Sequence, residues 1–137
     1  LIQKGDYNNL LLIFLAYIIF SFVTTFIREI IKDAQDIKGD RRIGSKTFPI
    51  VASALVVKSV IVILQTLLLV SLILLTYYFK HSIALILYII VLLVAPLLGS
   101  VYTVTKAKSP KNWGLASKLM KIVMVFGIVS IVVFTYA

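Results

Sequence analysis

Charged positions divide this chain more sharply than any other pattern in it. No charged residue occurs from Leu10 to Ile27, from Ser59 to Phe79, or from Ser82 to Thr105, and a shorter uncharged run closes the chain from Ile122 to Ala137. An apolar run of about 18 residues or more is long enough to cross the hydrocarbon core of a bilayer as a helix. The first three runs therefore predict transmembrane helices. The fourth joins them, because Lys118 and Lys121 can reach the headgroups with their ammonium ends while their stems stay in the apolar layer. The expected spans are 10–27, 52–79, 83–105 and 117–136, in one transmembrane domain over residues 1–137. The fold class is an all-α membrane protein with four transmembrane helices. Strands are disfavoured, since an isolated strand leaves its backbone groups unpaired in lipid. The runs also lack the alternation of a membrane barrel.

Composition strengthens this picture. Hydrophobic residues make up 61% and charged residues 14% of the chain, and the mean hydropathy is +1.10. Roughly a quarter of residues are charged in soluble domains. The first run is long enough to span and no small-residue cleavage site follows it, so it does not read as a signal peptide. With no cysteine, disulfides and thiolate metal sites are excluded. The chain opens Leu-Ile-Gln-Lys-Gly-Asp, which reads like the tail of a loop, and a missing N-terminal part is expected.

A net charge of +9 raises the question of nucleic acid. That partner needs a basic patch on a soluble domain, and here the bases fall between spans, so no nucleic acid is expected. Arg28 to Lys46 holds six Lys and Arg, and Lys106 to Lys121 holds five, whereas the opposite ends carry Lys4 and Lys80. The positive-inside rule places both rich segments in the cytoplasm and both chain termini outside. Trp113 and Tyr102 on one side, and Tyr77, Tyr78 and Tyr88 on the other, read as interfacial anchors. Pro96 removes a backbone donor within the third span, which predicts a kink rather than a break. His81, beside Lys80, reads as a polar turn residue.

The chemistry concentrates in residues 28–49, REIIKDAQDIKGDRRIGSKTFP, which hold four of the five acidic residues. Glu29, Asp33, Asp36 and Asp40 are spaced 4, 3 and 4, which on a helix extending the first span gives one stripe. Like charges at such spacing repel. Compensation could come from Arg28, Lys32, Lys38, Arg41 and Arg42 in a solvated loop, from protonation, or from a divalent cation. The order favours the cation. Mg²⁺ takes one or two carboxylates together with phosphate oxygens, and bases that follow, with the bidentate fork of arginine, suit phosphate. Gly39 and Gly44 would loosen the backbone between acids and bases, and Thr47-Phe48-Pro49 would end the loop and start a helix.

From Glu29 to Pro49 this stretch resembles the second aspartate-rich motif of the UbiA superfamily of intramembrane prenyltransferases. Its form is most similar to the branch of archaeal digeranylgeranylglyceryl phosphate synthases and chlorophyll synthase-like enzymes. The resemblance implies a nine-helix bundle, with two aspartate-rich motifs on its cytoplasmic side holding Mg²⁺ and an isoprenyl diphosphate. It also implies transfer of the prenyl group to a lipid or aromatic acceptor. Asp36 and Asp40 match its metal-binding, catalytic aspartates, and Asp33 matches an aspartate that adds a ligand or a hydrogen bond. Lys46, Arg41 and Arg42 fall where the basic part approaches diphosphate, whereas Glu29 is better placed to pair with Arg28 or Lys32. The first aspartate-rich motif is absent from these residues. The four spans then correspond to the C-terminal part of the bundle, inactive on its own, in a prokaryotic plasma membrane.

Other functions fit less well. A split, non-catalytic subunit that binds lipid diphosphate or a partner chain would share the same spans. CDP-alcohol phosphotransferases need an Asp-Gly pair, and the chain has none. A transporter would place acids in mid-span, whereas these sit at the end of one.

Overall fold

The computed structural model describes residues 7–78 and 80–136, and all its regular structure among them is helical. Lys4 in the N-terminal tail, Phe79 at the end of the second expected span, and the Tyr78 side chain lie outside the described residues. Helix α1 covers Tyr7–Gln35, α2 Ile37–Arg42, α3 Phe48–Val51 and α4 Ala54–Tyr78. The third span starts as α5 (Ile83–Tyr88), widens into a π-helical segment (Ile89–Val94) and ends as α6 (Ala95–Thr105), before α7 (Pro110–Tyr136). Four stretches are long and apolar enough to cross a membrane: Leu10–Gln35, Ala54–Tyr77, Ile83–Thr105 and Pro110–Phe134.

Two helices outrun the apolar runs that announce them. The first continues past Ile27 to Gln35, and the last starts at Pro110 instead of near residue 117. Hydropathy marks the depth of lipid, whereas local chemistry marks the end of a helix. Proline at the first helical position is pre-set for helix and lacks a donor that would be idle there. The Ser109 carbonyl accepts from the amides of Asn112 and Trp113 at 3.1 and 3.3 Å. The second basic segment is thus mostly helix, with only Lys106–Ser109 between α6 and α7.

The long helices form a ring in which α1 packs on α7, α7 on α6, α6 on α4, and α4 back on α1. Ile27, Ile31, Ile61, Leu93, Leu97, Met120 and Val123 fill its centre. Small residues set the closest approach, as expected where lipid offers no hydrophobic drive between helices. A Cβ at Gly127 of α7 would run into the Phe20 ring of α1, and one at Gly114 would lie 2.9 Å from Gln35 Nε2. Farther along the same seam, the Tyr17 and Ser130 hydroxyls share a hydrogen bond of 2.9 Å.

A polar knot crosses the opposite seam. Gln65 of α4 is fully buried and donates to Ser100 Oγ at 2.8 Å, and Ser100 in turn donates to the Ala116 carbonyl at 3.4 Å. These bonds tie α4, α6 and α7 together where only protein groups can satisfy a donor. Tyr88 is likewise turned inward, its hydroxyl donating to the Phe126 carbonyl. It is therefore a bridge to α7 rather than the interfacial anchor expected. Tyr77 and Tyr102 are exposed, and Lys80 Nζ sits 5.1 Å above the Tyr77 ring. His81 is exposed in the turn before α5.

The third span is continuous through Pro96, and the distortion lies on its N-terminal side. Proline cannot donate and crowds the carbonyl four residues earlier. Here the preceding turns open, so that the Ala95 amide bonds the Ile90 carbonyl, five residues back.

Candidate functional site

Helix α1 carries Glu29 and Asp33 beyond the apolar run, then yields at Asp36, whose φ of −97° and ψ of 15° lie outside the helix. The stripe is thus a row with one break, not one unbroken helix. Aspartate in a helix interior competes for its own backbone, which favours a break there. The hydrogen-bond ladder nonetheless crosses the break, from Asp36 N to Lys32 O at 3.0 Å and from Asp40 N to Asp36 O at 2.9 Å. The acids therefore follow one another along α1 and α2. Asp36 makes no side-chain capping bond, which leaves its carboxylate oxygens available.

The loop then turns back sharply. Ser45 N bonds Asp40 O at 3.0 Å and Gly44 N bonds Arg41 O at 3.2 Å, with Gly44 at φ 77°. This is a Schellman end, in which the residue past the helix takes a left-handed conformation. Gly39 is different, since it lies inside α2 and has open space where a Cβ would go. Gly44→Ala should therefore destabilise the loop by about 1–2 kcal/mol, whereas Gly39→Ala should be neutral or stabilising. Hydrogen exchange of residues 37–45 in detergent micelles would separate the two, and equal protection in both variants would remove the assigned turn. Beyond Lys46, Thr47 stands at the N-cap position of α3 without a side-chain capping bond, with Pro49 buried in the first turn. The chain does re-enter helix here, but only for Phe48–Val51 before α4 starts at Ala54.

The charges do not neutralise one another. Among the described residues the only ion pair joins Arg28 to Glu29, at 3.7 Å. That pair gives Glu29 a partner that Asp33, Asp36 and Asp40 lack among the described residues. Asp33 lies within electrostatic reach of Asp40, Glu29 and Asp36, whose charges oppose its own, with Lys32 acting the other way. Asp36 is exposed, Asp33 and Asp40 are half-buried, and the bases Arg42 and Lys46 are exposed. Among the described residues no three His, Asp or Glu side chains gather as a metal site. The donor chemistry still suits a hard cation, since Asp36 and Asp40 keep unpaired carboxylates and Mg²⁺ needs only one or two.

Two cavities open in the bundle, one well down the spans from this row and one beside it. One, of about 470 Å³, is apolar and lies between α1 and α4, lined by Ile19, Phe20, Val23, Leu64 and Leu68 among others. The second, of about 540 Å³, is lined by Arg41, Lys58, Lys108, Trp113, Pro49 and Ser53 among others. It joins the two basic segments at one end of the bundle. Arg41 thus faces a different partner set from Arg42 and Lys46, with which the sequence grouped it. Lys58 and Lys108 have no part in the aspartate-rich motif. Lys58 could have been noticed as a lone charge in the early turns of an apolar helix, where ionisable residues are costly.

An all-helical bundle of four helices long and apolar enough to cross a membrane, with unpaired aspartates and bases on one connecting segment, defines the class of protein. The chain belongs to the UbiA prenyltransferase family, whose sequence profile matches residues 2–134. Over 113 residues, 81% of the chain, it is 34% identical to the digeranylgeranylglyceryl phosphate synthase of Methanosphaera stadtmanae. The matched stretch is 40% of that enzyme, so the chain spans well under half the length of this curated relative. No solved structure matches the chain significantly.

Proposed function

We propose that this chain forms one wall of a prenyltransferase site that moves an isoprenyl group from a prenyl diphosphate to a lipid or aromatic acceptor. The observation that carries the reading is the row of unpaired acids, Asp33, Asp36 and Asp40, followed within one turn-back by exposed Arg42 and Lys46. Asp36 and Asp40 would hold Mg²⁺, with Asp33 beside them, and Lys46 and Arg42 would approach the diphosphate oxygens, whereas Arg41 lines the cavity shared with Lys58 and Lys108. Bound there, Mg²⁺ supplies charge neutralisation for the departing diphosphate. The allylic C–O bond breaks, with its electron pair leaving on pyrophosphate. A nucleophilic atom of the acceptor then bonds to the freed carbon and gives up a proton. Surrounding apolar helices exclude water that would otherwise capture the cation-like carbon, and the groove between α1 and α4 offers room for the prenyl chain.

The match to the second aspartate-rich motif supports placing these spans in the C-terminal half of a nine-helix bundle, with the site on the cytoplasmic side. The facing wall, with a first aspartate-rich motif, would come from protein outside these 137 residues. The 137-residue chain alone should therefore show no turnover. In membranes containing the full-length protein, a panel of prenyl diphosphates and acceptors should give a prenylated product that EDTA abolishes and Mg²⁺ restores. Transfer that persists in EDTA would remove the metal, and failure with every pair would leave a non-catalytic lipid-diphosphate binder.

A further inference from the structure

Helix α1 sorts its charges to two sides as it leaves the apolar run. Tyr17, Thr24, Arg28 and Gln35 follow one another at steps of 7, 4 and 7, which places them along one face. Tyr17 and Gln35 on that face both meet α7. Asp33 instead falls in line with Ile19, Val23 and Ile30, and the first two border the cavity against α4. The acids thus run along the α4 side, whereas Arg28 turns toward α7, which carries bases of its own. Lys111, Lys118, Val125 and Val132 recur every seven residues on the exposed face of α7, and Lys121 is exposed beside them.

The depth of these lysines follows from the helix contacts. Gly114 meets Gln35, and Gly127 meets Phe20. Midway between those contacts Lys121 comes level with Ile27 and Arg28, where the first uncharged run ends. On the other side of α7, the Ala116 carbonyl accepts from Ser100, and Leu119 lies beside Gly99. Lys118 is therefore level with residues of α6 whose uncharged run continues to Thr105. Both lysines stand at the edge of the hydrocarbon, with stems long enough to carry the ammonium groups back to the headgroups.

Nothing in the chain neutralises them. Among the described residues neither lysine has a carboxylate partner, and no acidic residue follows Asp40. Arg28 is also short of acceptors. Its Nε is shielded from solvent without a partner, and Glu29, at 3.7 Å from Nη1, is beyond hydrogen-bond length. Directly past the lysines, Ile122, Val125, Ile128 and Val129 are exposed. Cations at the rim of an apolar face fit an anion carried on acyl chains. A soluble anion would leave that face uncovered, and a zwitterionic headgroup brings a cation of its own.

We propose that the outer side of the seam between α1 and α7, at Lys118 and Lys121 beside Arg28, binds the headgroup of an anionic membrane lipid as a fixed boundary lipid. This lipid takes no part in transfer, and the site does not rest on the prenyltransferase reading.

The test follows lipid at one position of the full-length protein, reconstituted in phosphatidylcholine vesicles. A fluorophore on Val125→Cys, one turn beyond Lys121, in protein without other cysteines, senses neighbouring acyl chains through quenching by bromine. A minor fraction of brominated phosphatidylglycerol should quench this label several-fold more than the same fraction of brominated phosphatidylcholine. A label on Val70→Cys, at an exposed position of α4, should show no preference. Lys118→Gln and Lys121→Gln should each weaken the apparent affinity for phosphatidylglycerol about fivefold, the weight of one cation near a charged lipid surface, and Lys118→Arg should keep it. Equal quenching by both lipids at Val125, or the same preference at Val70, would overturn the site. So would an unchanged preference when both lysines are glutamine, or its loss to millimolar inorganic phosphate, which would make the cations a site for free anions. Failure of either lipid to reach the Val125 label would show that protein covers this face, and would sink the proposal as well.

Discussion

Asp36→Ala and Asp40→Ala should each lower Mg²⁺-dependent prenyl transfer in the full-length protein by about 10²–10³-fold, the scale of losing one group that stabilises developing charge. Neither carboxylate has a cation partner among the described residues, and Asp36 has no capping bond, so neither removal leaves a buried charge behind. Membrane insertion and helix content should therefore survive. What disappears is the negative charge that would hold the metal where the diphosphate leaves. Asp40→Asn should be nearly as damaging as Asp40→Ala, since it keeps shape and loses charge, whereas Asp33→Asn should cost less. Initial rates over a range of Mg²⁺ concentrations would show this, and full transfer in both alanine variants would remove the aspartates from the site.

Gly127→Leu should produce the largest loss of stability, about 1–3 kcal/mol for forcing bulk into a packed contact. The glycine lies on the α7 face against Phe20, where even a Cβ has no room. Gly99 is the natural comparison, since a Cβ there would meet only a Leu119 methyl at 3.3 Å, and Gly99→Ala should be mild. Phe20→Ala should partly rescue Gly127→Leu by emptying the space the leucine needs. Unfolding of the purified protein in mixed micelles would rank these variants. Equal stability for Gly127→Leu and Gly99→Ala would mean that α1 and α7 do not approach closely at this point.

Much of the fold was legible because lipid makes a simple demand. A helix must hide its backbone and show hydrocarbon, so the uncharged runs located all four spans. Their neighbours were not legible for the same reason. In lipid every face of a helix is apolar, so no polar side reveals which way α4 or α6 turns. The ring order, and with it the convergence of Lys58, Lys108 and Arg41, depends instead on details such as Gly127 and Gln65. Within the site, the helical spacing of the acids and a local basic partner for Glu29, either Arg28 or Lys32, were readable from the sequence, and Arg28 is the one that pairs. The break at Asp36 was not, because an aspartate at that spacing fits a helix as well as its edge. The separation of Arg41 from Arg42 was also hidden, since adjacent residues in α2 take different partners only once α4 and the link before α7 are in place.

The widened turns before Pro96 carry a consequence for how this span tolerates length changes. Buried positions fall at Leu85, Ile89, Leu93 and Leu97, four apart, and then at Ser100 and Val104. A regular helix repeats every 3.6 residues, so three successive steps of four would carry a side chain well off its starting face. Over Ile89–Val94 the looser winding absorbs that drift and returns Ser100 to Gln65. The segment therefore holds slack, as though one residue more than the path requires had been taken up locally. Removing an exposed residue such as Val91 should tighten these turns into ordinary helix while both flanking faces keep their partners. The same deletion in the regularly wound α4 would rotate everything beyond it away from the bundle.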